Sequence, residues 1–397
     1  MKKKLLTALA VMALIQGYAQ SNTTDSTYKP KKLQLEEINL VSSYYQQDGD
    51  NAAVTGGIGS EKLTDLANSI ELKLVKYDRK LRKNNFGIEV GIDHYTSASS
   101  DKVDLKANSS ASHADTRIYP TLSWSRENEK KGSTISAGLS SSTEYDYQSF
   151  GANIGFAQKT RDRMGEFSAK FQAYIDQVKL ITPVELRPPG SDPENYPYGS
   201  SARNTYAGSL GYSQILNKKM QLMFLADIVQ QNGYLGLPFH RVYFEDGSVH
   251  QERLPSQRFK VPLGIRFNYF VSEKFILRTY YRFYTDNWGL TAHTVNLEVP
   301  IKLSPYLSIS PSYRFYQQSA VDYFKPYQKQ TGADEYYTSN YDLSKFTSHF
   351  PGINIRFTPL KGVLGIRRIS MVELRYGHYV RSTELTANSV SLNVRFK

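Results

Sequence analysis

The sequence of 397 residues contains no cysteine. This absence excludes disulfide bonds, thiolate metal sites and the lipid-modified cysteine of a lipoprotein. Familiar catalytic patterns are missing too, because the seven histidines are scattered and no HExxH pattern, nucleophile elbow or phosphate-binding loop occurs. We therefore predict that the protein is not an enzyme, and we assign it no catalytic residue, metal or cofactor.

Long hydrophobic runs are also scarce. The run from Leu5 to Ile15 is shorter than the roughly 20 residues that a membrane-spanning helix needs. Three lysines precede it, and the small residues Gly17 and Ala19 follow. This arrangement predicts a secretory signal peptide over residues 1–19.

Tryptophan is rare, with 2 residues, whereas the chain has 30 tyrosines and 19 phenylalanines despite a mean hydropathy of -0.49. Apolar and polar residues alternate along most of the chain, as in Val390, Leu392, Val394 and Phe396. Such alternation is typical of a transmembrane antiparallel β-barrel, whose outer face is apolar and whose lumen is polar. A soluble β-sandwich is the alternative.

About sixteen alternating segments can be counted. Their first outward-facing residues are Ile38, Ile70, Phe86, Ile118, Ile135, Phe150, Phe167, Tyr206, Leu222, Val261, Phe275, Val295, Leu307, Ile353, Val372 and Val390. We predict a short N-terminal periplasmic segment over 20–34 and a single outer-membrane barrel over 35–397. Its expected partners are outer-membrane lipids and the barrel-assembly machinery, for which Phe396 is the candidate signal.

Connection lengths favour one topology. Short connections should lie on the periplasmic side, and the long ones at 47–65, 96–115, 179–203, 233–257 and 318–345 should lie outside the cell. Prolines interrupt several predicted strands, where we expect β-bulges or strand ends: Pro120, Pro262, Pro300, Pro311 and Pro351.

The inward-facing positions of the C-terminal half are mostly cationic. This basic wall comprises Lys260, Arg266, Arg278, Arg282, Lys302, Arg314, Arg356, Arg375 and Arg395, against only Glu298 and Glu373. A line of cations in a lumen favours anionic solutes. Alternatively, the arginines pair with these glutamates and with acidic residues of the opposite wall, and the lumen is filled.

The formal net charge is +12, and much of it lies in the short connections. We exclude nucleic acid as a partner of an exported barrel, and expect this basic rim to face anionic lipid or periplasmic proteins. One sequence pair could serve a barrel hydrolase: Asp93 and His94, completed by Asp227 or Asp286.

A glycine-rich block departs from the alternating pattern. It runs from Tyr44 through Thr55-Gly56-Gly57-Ile58-Gly59 to Asp65 and suggests a tightly folded loop tucked into the lumen. The candidate plug residues are Asp48, Gly56, Gly57, Gly59, Glu61 and Asp65.

Together with Thr96 to Asp101, this block resembles a family of Gram-negative outer-membrane β-barrels classified only as a domain of unknown function. The resemblance covers the chain after the signal peptide and implies an outer-membrane barrel without an assigned activity. It also implies a role beside periplasmic redox and flavin-transfer proteins.

Three functions remain open. The first is a porin-like channel for small, anionic solutes; the second is a plugged barrel that docks or exports a periplasmic partner in envelope redox maturation. An outer-membrane hydrolase is the third. The sequence leaves the solute, the partner and the oligomeric state undetermined.

Overall fold

The structure is a computed structural model that describes residues 32–96, 114–190 and 196–397. The predicted signal peptide, most of the segment 20–34 and the stretch from Ser97 to Asp101 lie outside the described residues. No helix among the described residues is long and apolar enough to cross a membrane.

The described residues form nineteen strands, numbered here in chain order. The first nine are β1 (Gln34–Asp48), β2 (Leu63–Tyr77), β3 (Lys83–Thr96), β4 (Ala114–Asn128), β5 (Ser133–Thr143), β6 (Tyr147–Lys159), β7 (Gly165–Lys179), β8 (Ser200–Asn217) and β9 (Met220–Gly233). The others are β10 (Arg241–Tyr243), β11 (Val249–Gln251), β12 (Gln257–Phe270), β13 (Ile276–Asp286), β14 (Thr291–Glu298), β15 (Ile301–Lys302), β16 (Leu307–Gln318), β17 (Phe346–Phe357), β18 (Ile369–Arg381) and β19 (Leu385–Phe396).

These strands close into one antiparallel barrel. Each strand of the wall pairs with the next one in the wall, β9 pairs with β12, and β19 returns to β1 with Phe396 opposite Ile38 and Thr386 opposite Asp48. β10 and β11 form a separate hairpin within a loop, and β14 and β15 are two parts of one barrel strand. The wall therefore has 16 strands, and the predicted fold class and strand count are confirmed.

The outer face of this wall is apolar. Large side chains of alternate residues are exposed all around the barrel, including Ile92, Leu122, Leu139, Phe150, Ile154, Phe171, Leu210, Phe224, Ile228, Leu263, Val295, Ile353, Leu374 and Leu392. A soluble monomer rarely leaves so extensive an apolar surface in water. An apolar exterior around a polar lumen is the arrangement of a transmembrane barrel.

On the inner face, several glycines lie beneath aromatic rings of neighbouring strands. A Cβ atom at Gly91 would lie 2.1 Å from the ring of Tyr119, and one at Gly377 would lie 2.4 Å from the ring of Phe350. Such cross-strand pairs restore the contact area that glycine lacks. They also explain why glycine is frequent in strands, where it is otherwise unfavourable.

The expectation of bulges at the prolines was wrong at four of the five positions. Pro120, Pro262, Pro311 and Pro351 lie inside strands whose register is unchanged across them, and only Pro300 coincides with a break, between β14 and β15. In an antiparallel ladder, the N–H of one residue points to a single neighbouring strand. A proline therefore costs bonds on one side while pairing on the other side holds the register.

The two ends of the barrel differ in their connections. At one end lie the loops 49–62, 180–199, 234–256 and 319–345, together with three short connections at 144–146, 287–290 and 382–384. At the other end, six connections span five residues or fewer, whereas the seventh covers 358–368. Long loops thus gather at one end, although the alternation of short and long connections is less regular than expected.

Candidate functional site: a capped lumen with one basic wall

The long loops fold together across one mouth of the barrel. We call this assembly the cap and define it by the loops 49–62, 234–256, 287–290 and 319–345. The guanidinium Nη1 of Arg241 donates a hydrogen bond of 2.7 Å to the carbonyl oxygen of Val54. Val54 lies between the first and second barrel strands, and Arg241 lies between the ninth and tenth. Because these positions are half a circumference apart, the contact crosses the mouth.

The cap has its own hydrophobic core. Trp288, Leu290, Ala292 and Val321 are buried together, and the inward-facing rings of Tyr284 and Tyr316 pack against them. The indole N–H of Trp288 donates to the carbonyl of Gln257 at 2.9 Å. Since wall residues contribute to this core, the cap lies within the mouth and not above it.

Arginines of the wall and the cap hold the loops in place. These contacts are Arg203 to the carbonyls of Tyr234 and Gly236 at 2.7 and 2.6 Å, Arg241 to Glu185, Arg258 to Asp286 at 2.5 Å, and Arg381 to Asp342 at 2.6 Å. The side chains of Arg241 and Arg381 are only 4% and 3% exposed. Buried guanidinium groups of this kind bind carbonyls and carboxylates in fixed geometry.

Glu252 is the most deeply buried acid of the cap. Its carboxylate accepts hydrogen bonds from the Thr338 hydroxyl at 2.5 Å and the Leu237 amide at 2.9 Å, and His240 Nδ1 lies 3.5 Å away. Burial alone raises the pKa of this carboxyl, but the His240 ring and the two hydrogen bonds outweigh it and hold the pKa below its ordinary value. Sequence reasoning missed this cluster because its members come from distant loop positions.

The glycine-rich block forms one edge of the cap. Gly56 and Gly57 have φ angles of +81° and +88°; a Cβ atom at Gly56 would lie 2.5 Å from the ring of Tyr243, and one at Gly57 would lie 2.7 Å from the Ser339 carbonyl oxygen. Only glycine fits both the backbone conformation and the space. The carbonyl of Gly59 accepts from the Ala52 amide at 3.2 Å.

The acidic members of the predicted plug set are distributed differently. Glu61 lies 3.6 Å from the guanidinium of Arg381, and burial raises its carboxyl pKa although Arg381 and the Asn51 amide act in the opposite direction. Asp48 ends β1 and makes an exposed ion pair with Lys62 at 3.8 Å. Asp65 lies in β2 opposite Tyr95 of β3. Of the six residues, the structure thus brings Gly56, Gly57, Gly59 and Glu61 into the cap.

Below the cap, the residues of the predicted basic wall alternate with the outward apolar residues and so line the lumen. Four of them are ion-paired: Arg278 with Glu298 at 3.3 Å, Arg356 and Arg375 with Glu373, and Arg395 with Glu37 at 3.3 Å. Within residues 32–96, 114–190 and 196–397, no carboxylate lies within 4.0 Å of Lys260, Arg266, Arg282, Lys302 or Arg314. Four of the nine cations are therefore ion-paired and five are not, and the two interpretations of the wall stay predictions.

Three of these cations lie on the lumenal face of four successive wall strands, β12 to β16, and we call them the lumenal patch. Arg266 of β12 is opposite Tyr280, and the same rung continues through Asn296 to Arg314 of β16. Arg282 lies one inward-facing position nearer the cap on β13. Each guanidinium lies beside an aromatic ring. The distance to the ring centroid is 5.6 Å from Arg266 to Tyr280, 5.9 Å from Arg282 to Tyr284 and 5.7 Å from Arg314 to Phe350. Arg266 and Arg314 are exposed to the lumen, so the patch can accept an anion from solution.

The half of the wall formed by β1 to β9 carries both signs of charge and smaller side chains. Lys73 bridges Glu37 at 2.7 Å and Glu71 at 3.3 Å, and Asp93 accepts from the Tyr119 hydroxyl at 2.9 Å. A cavity of about 320 Å³ is lined in part by Ser136, Gly155, Ser168, Lys170, Ser209 and Asp227. This wall offers room and mixed polarity, whereas the basic wall offers positive charge.

The suggested hydrolytic pair is excluded by strand geometry. Asp93 faces the lumen, where it contacts Tyr119, while the exposed ring of His94 contacts Thr116 on the outer face at 3.0 Å. Neighbours in a strand point to opposite faces of the sheet. Asp93 and His94 therefore cannot act on one substrate.

One acidic group has the spacing of metal ligands. Carboxylate oxygens of Asp115, Glu144 and Asp146 lie within 4.8 Å of one another near the cap end of β4 and β5. Glu144 also accepts from the Tyr95 hydroxyl at 2.6 Å. The three residues are 31 positions apart at most, but no sequence pattern marked them, because strand pairing and not spacing brings them together.

The remaining candidate, Phe396, closes β19 at the uncapped end, where it pairs with Ile38 and Ile369. Its role as an assembly signal stays a prediction.

The chain belongs to the protein family described as "Protein of unknown function (DUF3570)", which matches residues 5–366. The predicted membership of an uncharacterised family is thus confirmed. No curated protein shows significant similarity to the chain.

Several solved barrels resemble the fold at low identity. OccAB1 from Acinetobacter baumannii is 10% identical, with a TM-score of 0.48 over 95% of this chain and 99% of that chain. OpdQ from Pseudomonas aeruginosa is 9% identical, with a TM-score of 0.43 over 92% and 98%. The siderophore receptor PirA from Acinetobacter baumannii is 12% identical, with a TM-score of 0.46 over 88% of this chain, which spans about half of the receptor's length (53%).

Proposed function

We propose that this protein is an outer-membrane channel for small anionic solutes, held closed at its extracellular mouth by the cap. The observation that carries the proposal is the lumenal patch of Arg266, Arg282 and Arg314, which no described carboxylate neutralises. The apolar outer face supports membrane insertion, and the gathering of long loops at the capped end supports its assignment to the cell exterior.

The physical basis is electrostatic. Cationic side chains lining a passage with low-dielectric walls raise the local concentration of anions and lower that of cations. The neighbouring rings of Tyr280, Tyr284 and Phe350 lie within 6 Å of the three guanidinium groups and restrict their motion. Anions would therefore meet preoriented donors on one wall and a mixed, roomier wall opposite.

Reversal potentials in a salt gradient test the proposal. The refolded protein is compared in planar bilayers with the triple variant Arg266→Gln, Arg282→Gln and Arg314→Gln, in a background whose cap has been shortened so that the lumen is accessible. We expect anion preference in the parent and its loss in the variant. The matched control, Lys130→Gln, Lys131→Gln and Lys218→Gln, removes equal charge outside the lumen and should change little. Cation preference in the parent, or an unchanged potential in the lumenal variant, would refute the proposal.

The docking alternative receives no support from the glycine-rich block. Gly56 and Gly57 are buried in the cap, at the end that we assign to the cell exterior. A periplasmic partner would have to use another surface, and its identity as a redox protein stays a prediction.

A further inference from the structure

The connection 358–368 at the uncapped end exposes two leucines almost completely. Leu360 and Leu364 are 86% and 92% exposed. Yet the connection is folded by its own hydrogen bonds, from the Val363 amide to the Ile369 carbonyl at 2.9 Å and from the Ile366 amide to the Val363 carbonyl at 3.0 Å. An ordered turn that directs two leucines away from the protein requires an explanation.

Exposed leucines at this end also have an unusual backbone conformation. Leu364 has a φ of +53°, and Leu81, in the turn between β2 and β3, has a φ of +59° and is 57% exposed. Residues other than glycine, asparagine and aspartate rarely adopt this conformation. Two separate turns at the same end therefore place an apolar side chain where a small or polar residue would fit the backbone better, which points to a function for the side chain.

Cations surround both leucines. The connection 358–368 contains Lys361, Arg367 and Arg368 and no acid, and Arg79, Lys80 and Arg82 flank Leu81. Three further connections of the uncapped rim, 129–132, 160–164 and 218–219, are also net basic, whereas 271–275 is neutral and 303–306 carries no charge. The additional cations of the rim are Lys130, Lys131, Arg161, Arg163, Lys218, Lys219 and Lys274, and its acids are Asp78, Glu129, Asp162 and Glu273.

We propose that this uncapped rim binds anionic phospholipid, with Leu81, Leu360 and Leu364 inserted at the boundary between headgroups and acyl chains. Two observations favour lipid over a protein partner. Net basic turns occupy five of the seven connections and extend from 358–368 past the β19–β1 seam to 218–219, an arc of more than half the circumference that suits the lipid surrounding a barrel. The apolar outer face also reaches this end of the barrel, since the exposed Phe357 ends β17 immediately before the connection that carries Leu360 and Leu364. Cations near anionic headgroups and apolar side chains just beneath them act together in interfacial binding.

The test places a tryptophan in the turn and asks whether lipid reaches it. The full mature protein carrying Leu360→Trp is refolded into nanodiscs whose lipids are brominated on the acyl chains, with phosphatidylcholine alone or mixed with phosphatidylglycerol. The natural Trp124 and Trp288 are replaced by phenylalanine in all samples. We expect the emission to be quenched, and roughly twofold or more stronger quenching when phosphatidylglycerol is present.

Two variants separate the contributions. Lys361→Gln, Arg367→Gln and Arg368→Gln together should abolish the difference between the lipids, while Leu364→Asn, which suits the positive φ, should weaken quenching without unfolding the turn. The lumenal variant Arg266→Gln, Arg282→Gln and Arg314→Gln should leave quenching unchanged, so this proposal can fail or succeed independently of the anion channel.

Three outcomes would overturn the proposal: water-like emission in every lipid, which would leave the turn free for a soluble partner; equal quenching with and without phosphatidylglycerol; or a lipid difference that survives neutralisation of the turn.

Discussion

The two ends of this barrel differ in the charge of their loops and in how closely those loops pack. At the capped end, acidic residues outnumber basic ones in the loops, and Trp288, Val242 and Thr338 are buried in packing between loops. At the uncapped end, basic residues dominate, the connections contact mainly their own strands, and Leu360 and Leu364 face outward. One end is therefore organised to close on itself, and the other to meet something outside the protein.

The two ends also differ in how far their loops extend. Among the described residues, the loops of the capped end reach across the barrel, through the contact of Arg241 with Val54. The connections of the other end, apart from 358–368, are five residues or shorter. In the proposed channel, the cap is therefore the part of the described chain that would control access to the lumen.

The largest effect on conductance should come from shortening one long connection at each end of the barrel, in two separate variants. Replacing 234–256 by a short glycine-serine linker removes Arg241, the β10–β11 hairpin and Glu252, so the mouth should open and bilayer conductance should rise severalfold. Shortening 358–368 to a tight turn is the matched change at the other end and should leave conductance as it was. Equal effects of the two deletions on conductance would contradict the claim that only the capped end closes the lumen.

Single glycine-to-alanine substitutions should distinguish a closely packed position of the cap from an open one. Gly57→Ala places a methyl group 2.7 Å from the Ser339 carbonyl at a φ of +88°, whereas Gly247→Ala has a similar φ of +82° and free space. We expect about 1 kcal/mol of backbone strain in both variants and a further loss of cap stability only in Gly57→Ala. Protease cleavage of the cap in the folded barrel measures this, and cleavage at equal rates would show that Gly57 is not tightly packed.

Acidification should loosen the cap by a smaller amount. Because the pKa of Glu252 is held below its ordinary value in the folded cap, its ionised form stabilises the cap above the unfolded pKa of about 4.3. That stabilisation is lost as the pH falls through the folded pKa. Protease access should therefore increase below about pH 4, and Glu252→Gln should be less stable at pH 7 with a weaker pH response; an identical response in the variant would assign the effect to another group.

Much of the wall could be predicted from the sequence. Strand identity depends on alternation, which is a local pattern, and each of the sixteen predicted segments falls in a barrel strand. The inward placement of Arg266 and Arg314 followed from the same alternation. The prediction of bulges at the prolines was wrong because pairing on one side of a strand holds the register where the proline lacks an N–H for the other side.

The cap could not be predicted in the same way. Its contacts join residues such as Val54 and Arg241, which are 187 positions apart, and no periodic pattern specifies such a pair. The glycine-rich block gave one local signal, since Gly56 and Gly57 adopt positive φ angles in a close-packed turn. Burial of Glu252 and Arg241 gave none, because charged residues in loops usually lie in solvent.

The most direct test of the account locks the cap and measures conductance. Since the sequence has no cysteine, Gly56→Cys with Tyr243→Cys introduces a single bridge at the point where the ring of Tyr243 lies 2.5 Å from the Cβ position at Gly56. The change at Tyr243 removes the ring that would clash with this Cβ atom, and the strain at a φ of +81° loosens the cap in the reduced double variant. The bridge would link loops on opposite sides of the mouth. We expect the anion conductance of the loosened, reduced double variant to disappear on oxidation and to return on reduction, whereas Tyr243→Cys alone should not respond to either treatment. Conductance that is unchanged when the bridge forms would contradict the claim that the cap gates this lumen.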